Sequence, residues 1–292
     1  TKDFRTATDI AKLEQAVELY KDKYGDYPPD FSELSLYLGN PNGIATAQFN
    51  KTTIMGHLRR AFPKITAAEV GIFKAYLIQE LNNQRAPTQA DAMFFWLGGL
   101  SGNVQRPFSG AGGPLVVTSN GSGTIYKLRV TDRSNRIFEF EDNKLVVNTS
   151  QTSARFLPKG LKSPLVYFNS KTYMIKPLVS FLSPQPSIFF ASPNNYAIPY
   201  KSMTVNPNAT TVDKLHFAKR NTFQIISAGV DNIFHRPYST QGYYLFTTEN
   251  GRPYHPPSAE PYNDPRIAGF FEGQEDNLTN FTEGRRLVDL QE

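Results

Sequence analysis

The chain has 292 residues, 39% hydrophobic and 20% charged, which suits a folded globular protein and excludes a disordered one. It holds no cysteine, which excludes disulfides, thiol catalysis and cysteine-ligated zinc or iron–sulfur sites. The net charge is +5, with basic residues in short clusters (Arg59-Arg60, Lys219-Arg220, Arg285-Arg286), so no long basic run or known module marks nucleic acid as a partner.

Residues 1–30 read as an amphipathic helix and its exit. Ile10, Leu13, Val17 and Tyr20 recur at the spacing of one apolar helical face, while Lys12, Glu14, Glu18, Lys21 and Asp22 fill the others. Gly25 and Pro28-Pro29 supply the stop. No start signal precedes the helix, so its beginning is expected upstream of Thr1. No stretch reaches the ~18 apolar residues of a membrane span.

Residues 31–100 are expected to be mostly helical: a short helix over Phe31–Leu38, another from Lys51 to Phe62 ended by Pro63, and a longer one behind Thr66. Thr66 with Glu69 forms a capping box, and Thr88 with Asp91 repeats that logic before the run Ala92–Leu97, which reads as core. Residues 101–123 are a Gly/Ser/Pro-rich connection with one short extended piece at Leu115–Val117. Its SGAGG lacks the Gly-Lys-Ser/Thr ending of a phosphate loop.

Beyond Gly123 the period becomes two. Tyr126–Val130, Ile137–Phe140 and Lys144–Val147 are predicted to form an antiparallel meander. Later strands are predicted at Pro164–Phe168, Thr172–Ile175, Phe223–Ile226 and Tyr243–Thr247, the last followed by an Asn250-Gly251 hairpin turn. Residues 176–221 show little periodicity, and the tail from 252 reads as loop. The order of elements is that of an α+β fold.

None of the four histidines (His57, His216, His235, His255) sits in a metal or catalytic motif, and no GxSxG elbow is present. A hydrolase is the least supported reading and would rest on His235 or His255. One acidic constellation remains. Asp231 follows the strand FQIISAG, and Asp276, Asn277 and Asn280 lie in GQEDNLTNF. Such loops offer the hard oxygens that calcium requires, or serve as turn residues with local backbone bonds.

Asp9–Leu34, DIAKLEQAVELYKDKYGDYPPDFSEL, resembles the helix and tyrosine-rich exit of type IV pilin-like proteins and type II secretion pseudopilins, with Gly25-Asp-Tyr27-Pro28 at the G-x-Y-P position. Phe223–Asn232 resembles that family's late S-x-G-x-D-G segment, with Asn232 in place of the usual Gly. MFFWLGGLSG, SPLVYFNSKTYM and EDNLTNFTEG resemble parts of large prepilin-type proteins.

The resemblance implies a pilin-like fold, a long N-terminal helix packed on an antiparallel sheet. Its parts are the soluble half of the helix (1–30), a helical insertion (31–100) and a sheet head with long loops (101–292), together one composite domain. It further implies a cleaved leader, N-methylation and an apolar membrane half-helix, all expected upstream of a trimmed chain. Calcium is implied at Asp231, with Asp276 as a second acidic ligand.

The expected function is then a non-enzymatic structural subunit of a bacterial pilus-like filament or secretion apparatus. It would be anchored in the inner membrane before assembly, with its head periplasmic or extracellular, and its partners would be other such subunits and the assembly machinery. The alternative is a minor tip adhesin whose enlarged head binds carbohydrate, DNA or another surface through Tyr238, Tyr243, Tyr244, Tyr254 and Tyr262.

Overall fold

The computed structural model describes residues 2–121, 123–175, 185–192, 195–202, 216–234, 276–282 and 285–287. The expected strand at 243–247, its Asn-Gly turn, the five tyrosines, His235 and His255 lie outside the described residues. The protein is α+β, with an N-terminal helix and small antiparallel sheets. It divides into two compact units, one of residues 15–156 and 175–185, the other of residues 1–14, 157–174 and 186–292.

Helix α1 spans Lys2–Tyr24 and supplies both units, divided after Glu14. The stripe expected from sequence is buried, with Leu13, Val17 and Tyr20 fully covered. Gly25 ends the helix at φ 76, its N–H donating to the Lys21 carbonyl at 2.7 Å. This is the left-handed stop that glycine adopts without a Cβ penalty.

The first unit (15–156, 175–185) is built around aromatic rings. Short 3₁₀ turns at Ser32–Tyr37, Pro41–Ala45 and Phe49–Lys51 lead to α2 (Thr53–Ala61), α3 (Ala67–Asn82) and α4 (Ala92–Leu97). All six residues of α4 are buried, and Trp96 at its centre lies 4.9–6.3 Å, ring to ring, from Tyr20, Phe31, His57, Phe73, Phe95 and Phe108. Burying each such large side chain contributes on the order of 1.5–3 kcal/mol.

Each predicted capping box keeps only one of its two bonds. Thr66 Oγ1 accepts from the Glu69 N–H at 3.2 Å, but the Glu69 carboxylate leaves the helix to accept from the Phe108 and Ser109 N–H groups. At α4 the converse holds, Asp91 Oδ2 accepting from the Thr88 N–H at 2.8 Å.

The predicted meander is replaced by two separate hairpins. Strand β1 (Leu115–Asn120) pairs with β2 (Gly123–Leu128), and β3 (Leu145–Val147) pairs with β4 (Ala154–Phe156). Ile137–Phe140 forms no strand, because the preceding turn aims it elsewhere. Asp132 and Asn135 take left-handed φ of 55 and 50, and the Ile137 and Phe138 N–H groups both donate to the Leu97 carbonyl at the end of α4. Docking on a helix end replaces ladder pairing there.

Along the chain β5 (Val166–Asn169) is followed by β6 (Met174–Ile175) and β7 (Gln185–Pro186), each of which straddles a unit boundary, and the second unit continues with β8 (Phe189–Ser192), β9 (Asn195–Ala197), β10 (Lys201–Ser202), β11 (His216–Phe217), β12 (Phe223–Ser227) and β13 (Leu278–Thr279). Strand β12 is central to a three-stranded antiparallel sheet ordered β13-β12-β5. β12 is buried along its whole length, as a strand covered on both faces must be. The expectation of a loop throughout the tail is corrected at Leu278–Thr279, whose backbone completes this sheet.

Within the second unit the first part of α1 is tied to the sheet by polar bonds. Asn280 Oδ1 accepts from the Ile225 N–H at 3.0 Å, while its Nδ2 donates to Glu14 Oε1 at 3.2 Å. Lys219 Nζ lies 3.6 Å from the same carboxylate, and Arg286 pairs with Asp3.

Candidate functional site

The sheet register builds the site. Antiparallel pairing sets Ile226 opposite Thr279 and Ser227 opposite Leu278, so Asn277 and Asp276 come alongside the turn that leaves β12. Ser227 Oγ starts that turn by accepting from the Gly229 N–H at 3.2 Å, and Gly229 sits at φ 63. A Cβ on Gly229 would lie 2.4 Å from both the Asp276 carboxyl carbon and its backbone oxygen, so only glycine fits.

Asp276 Oδ2 accepts from the Val230 N–H at 2.6 Å and the Asp231 N–H at 3.1 Å. Two consecutive backbone donors in a tight turn form a concavity that favours an anion, here an internal carboxylate from 45 residues away. Asp231 faces outward and uses Oδ1 to accept from the Ile233 N–H at 2.8 Å. Asn277 is fully buried, its Nδ2 donating to the Tyr200 hydroxyl and the Phe234 carbonyl, each at 2.9 Å. Burial, and then the Asp276 charge, push the Tyr200 hydroxyl pKa upward.

Asn232 explains its own departure from glycine. It takes φ 64, a left-handed conformation that asparagine tolerates, and its side chain makes bonds that glycine lacks. Oδ1 accepts from the Lys162 and Ser163 N–H groups, while Nδ2 donates to the Val230 carbonyl at 3.1 Å. The Asn232 carbonyl accepts from Ser163 Oγ and Asn195 Nδ2, so this one turn gathers three separate segments.

Of the four expected metal ligands, the structure brings Asp231, Asp276 and Asn277 to this turn. Asn280 is committed to Ile225, Phe223 and Glu14 and serves the helix–sheet contact. Gly229, Asn195 and Tyr200 were not singled out by sequence reasoning, although the S-x-G-x-D spacing held the signal for Gly229.

Two oxygens here, Asp276 Oδ1 and Asn277 Oδ1, are buried and accept no hydrogen bond among the described residues. A buried acceptor left without a donor costs about 1–3 kcal/mol, and a hard cation would offset that. The donor set of two carboxylates and an amide oxygen fits calcium in kind. Among the described residues, no three His, Asp or Glu side chains gather closely enough to hold a metal by themselves. No described helix is long and apolar enough to cross a membrane.

No protein-family model matches the chain, nor does any curated protein or solved structure.

Proposed function

We propose that the protein is a structural, non-catalytic subunit of the type IV pilin-like or pseudopilin kind, assembling through α1 into a bacterial filament or secretion apparatus of the cell envelope. The observation carrying this reading is the second unit's arrangement. The first part of an amphipathic helix is clamped through Asn280 to an antiparallel sheet whose central strand runs into the Gly229–Asn232 turn. The Gly25-Asp26-Tyr27-Pro28 exit supports it, with the Tyr27 hydroxyl donating back to Glu18 of α1 at 2.9 Å.

The chain has no cysteine, so single cysteines report contacts without background. Phe4 and Leu19 are 73% and 57% exposed on α1. Cysteines at these two positions in the native, cell-expressed protein should cross-link copies into ladders, whereas cysteine at exposed Lys127 on β2 should not. Equal cross-linking at all three sites, or an upstream coding sequence without a leader and ~20 apolar residues, would overturn the proposal.

Within this reading calcium is held at the turn, with Asp276 Oδ1 and Asn277 Oδ1 as its buried oxygens and Asp231 adding charge. Added calcium should raise the melting temperature of the wild type but not of Asp276→Asn or Asp231→Ala. An equal rise in all three proteins would exclude the site.

A further inference from the structure

Within the first unit a cleft of about 430 Å³ opens between the end of α1, the turn from α2 to α3 and the Ser101–Pro107 loop. Tyr24, Phe62, Pro63, Val104 and Pro107 make apolar walls, Ser101 and Asn135 add hydrogen-bonding groups, and Lys23 and Lys64 bring charge. Among the described residues, no carboxylate lines it. Lys23 Nζ lies 5.3 Å from the Tyr24 ring centroid, which sets one ammonium beside an aromatic face.

Three features distinguish this cleft from an incidental surface groove. The loop on its far side is pre-formed. The Ser101 N–H donates to the Pro107 carbonyl at 2.9 Å, the Asn103 N–H to Ser101 Oγ at 3.1 Å and the Gln105 N–H to Asn103 Oδ1 at 3.0 Å. Buried Glu69 then fixes the next residues through the Phe108 and Ser109 N–H groups at 2.7 and 2.6 Å. A loop held this way loses little freedom on binding.

Second, the charged side chains that line it, Lys23 and Lys64, are both basic. Third, the rim exposes Val104 to 58%, an apolar side chain on a loop whose conformation is fixed by other residues. Apolar walls with a few convergent polar groups are the ordinary make-up of a small-molecule site.

We propose that this cleft binds a small ring-bearing carboxylate, its ring lying along the Tyr24–Phe62 wall and its carboxylate meeting Lys23 and Lys64. A carboxylated sugar and an aromatic acid share this chemistry, and separate titrations distinguish them. The inference stands apart from the pilin reading, since it uses neither the exposed face of α1 nor the Gly229–Asn232 turn.

The test is saturation-transfer NMR and calorimetry of the whole chain with a glucuronate disaccharide, phenylacetate and the uncharged disaccharide cellobiose. One of the two carboxylates should bind with a Kd of about 1 mM or tighter, and cellobiose at least ~10-fold more weakly. Lys23→Glu with Lys64→Glu should cost ~10-fold or more in affinity while leaving the melting temperature within about 2 °C, because both lysines are exposed. Lys51→Glu with Lys127→Glu makes the same charge change away from the cleft and should leave binding unaltered. The proposal is overturned if neither carboxylate binds at about 10 mM, if cellobiose binds equally, or if both double variants lose binding alike.

Discussion

The Tyr20 hydroxyl lies 2.9 Å from His57 Nε2, joining α1 to α2 in the interior of the first unit. The other ring nitrogen, Nδ1, is 3.6 Å from Asp26 in the turn after α1, and Arg60 approaches that carboxylate at 2.7 Å. Tyr20→Phe removes only the hydroxyl and keeps the ring contacts, so it isolates this link. It should lower unfolding stability by about 1–2 kcal/mol in urea titrations. A loss under about 0.5 kcal/mol would show that the buried pair adds little to the joining of the two helices.

Arg133 acts as the C-terminal cap of α4. Its Nη1 donates to the Phe94 carbonyl and its Nε to the Gly99 carbonyl, both at 2.9 Å, placing a positive charge where the helix dipole is negative. Arg133→Met leaves the Phe95 and Gly99 carbonyls without this donor, the Phe94 carbonyl keeping the Gly98 N–H, and should cost about 3 kcal/mol. Arg133→Lys should recover less than half of that, because an ammonium cannot fork between these acceptors. Guanidinium denaturation of the two variants measures the difference.

Gly229→Ala combines a strained φ with a contact of 2.4 Å, and should destabilise the protein by about 2–4 kcal/mol. Adding Asp276→Ala should not rescue it, because the Asp276 backbone oxygen lies at the same 2.4 Å from the new Cβ. Rescue in thermal melts of the double variant would mean that the carboxylate alone sets the clash.

Glu80 is wholly buried, its Oε2 accepting from Thr152 Oγ1 at 2.6 Å. Burial raises its pKa above the ordinary carboxylate value, outweighing the opposing hydrogen bond from Thr152. A carboxyl with a raised folded-state pKa stabilises the fold below its unfolded pKa, and that contribution is lost as pH rises through the folded value. Glu80→Gln should therefore melt at or above the wild-type temperature at pH 7. Its advantage should shrink as pH falls toward the ordinary carboxylate range. A gap that widens toward acid would contradict the raised pKa.

The apolar stripe of α1, the buried run of α4 and the strand at Phe223 were legible because each is decided by local periodicity. The meander was not. Its failure depends on the Leu97 carbonyl, which accepts from the Ile137 and Phe138 N–H groups, partners too far apart in the chain for any window of alternation to contain. The same limit applied to the site. Asp231 and Asp276 were legible as oxygen donors, but Asn280 was grouped with them by proximity in sequence, although it lies beyond β13 and is held by Ile225. Glu69 looked like half of a capping box because sequence cannot show that its carboxylate has a better use at Phe108 and Ser109.

The bond from Asn277 Nδ2 to the Phe234 carbonyl has a consequence for what lies between those residues. The chain departs at Phe234 and comes back at Asp276 to one spot, and a buried amide joins the two. The entropy of closing such a loop grows only logarithmically with its length. Exchanging residues 235–275 for a short glycine–serine bridge, or for an unrelated cargo domain with adjacent termini, should therefore leave the sheet intact.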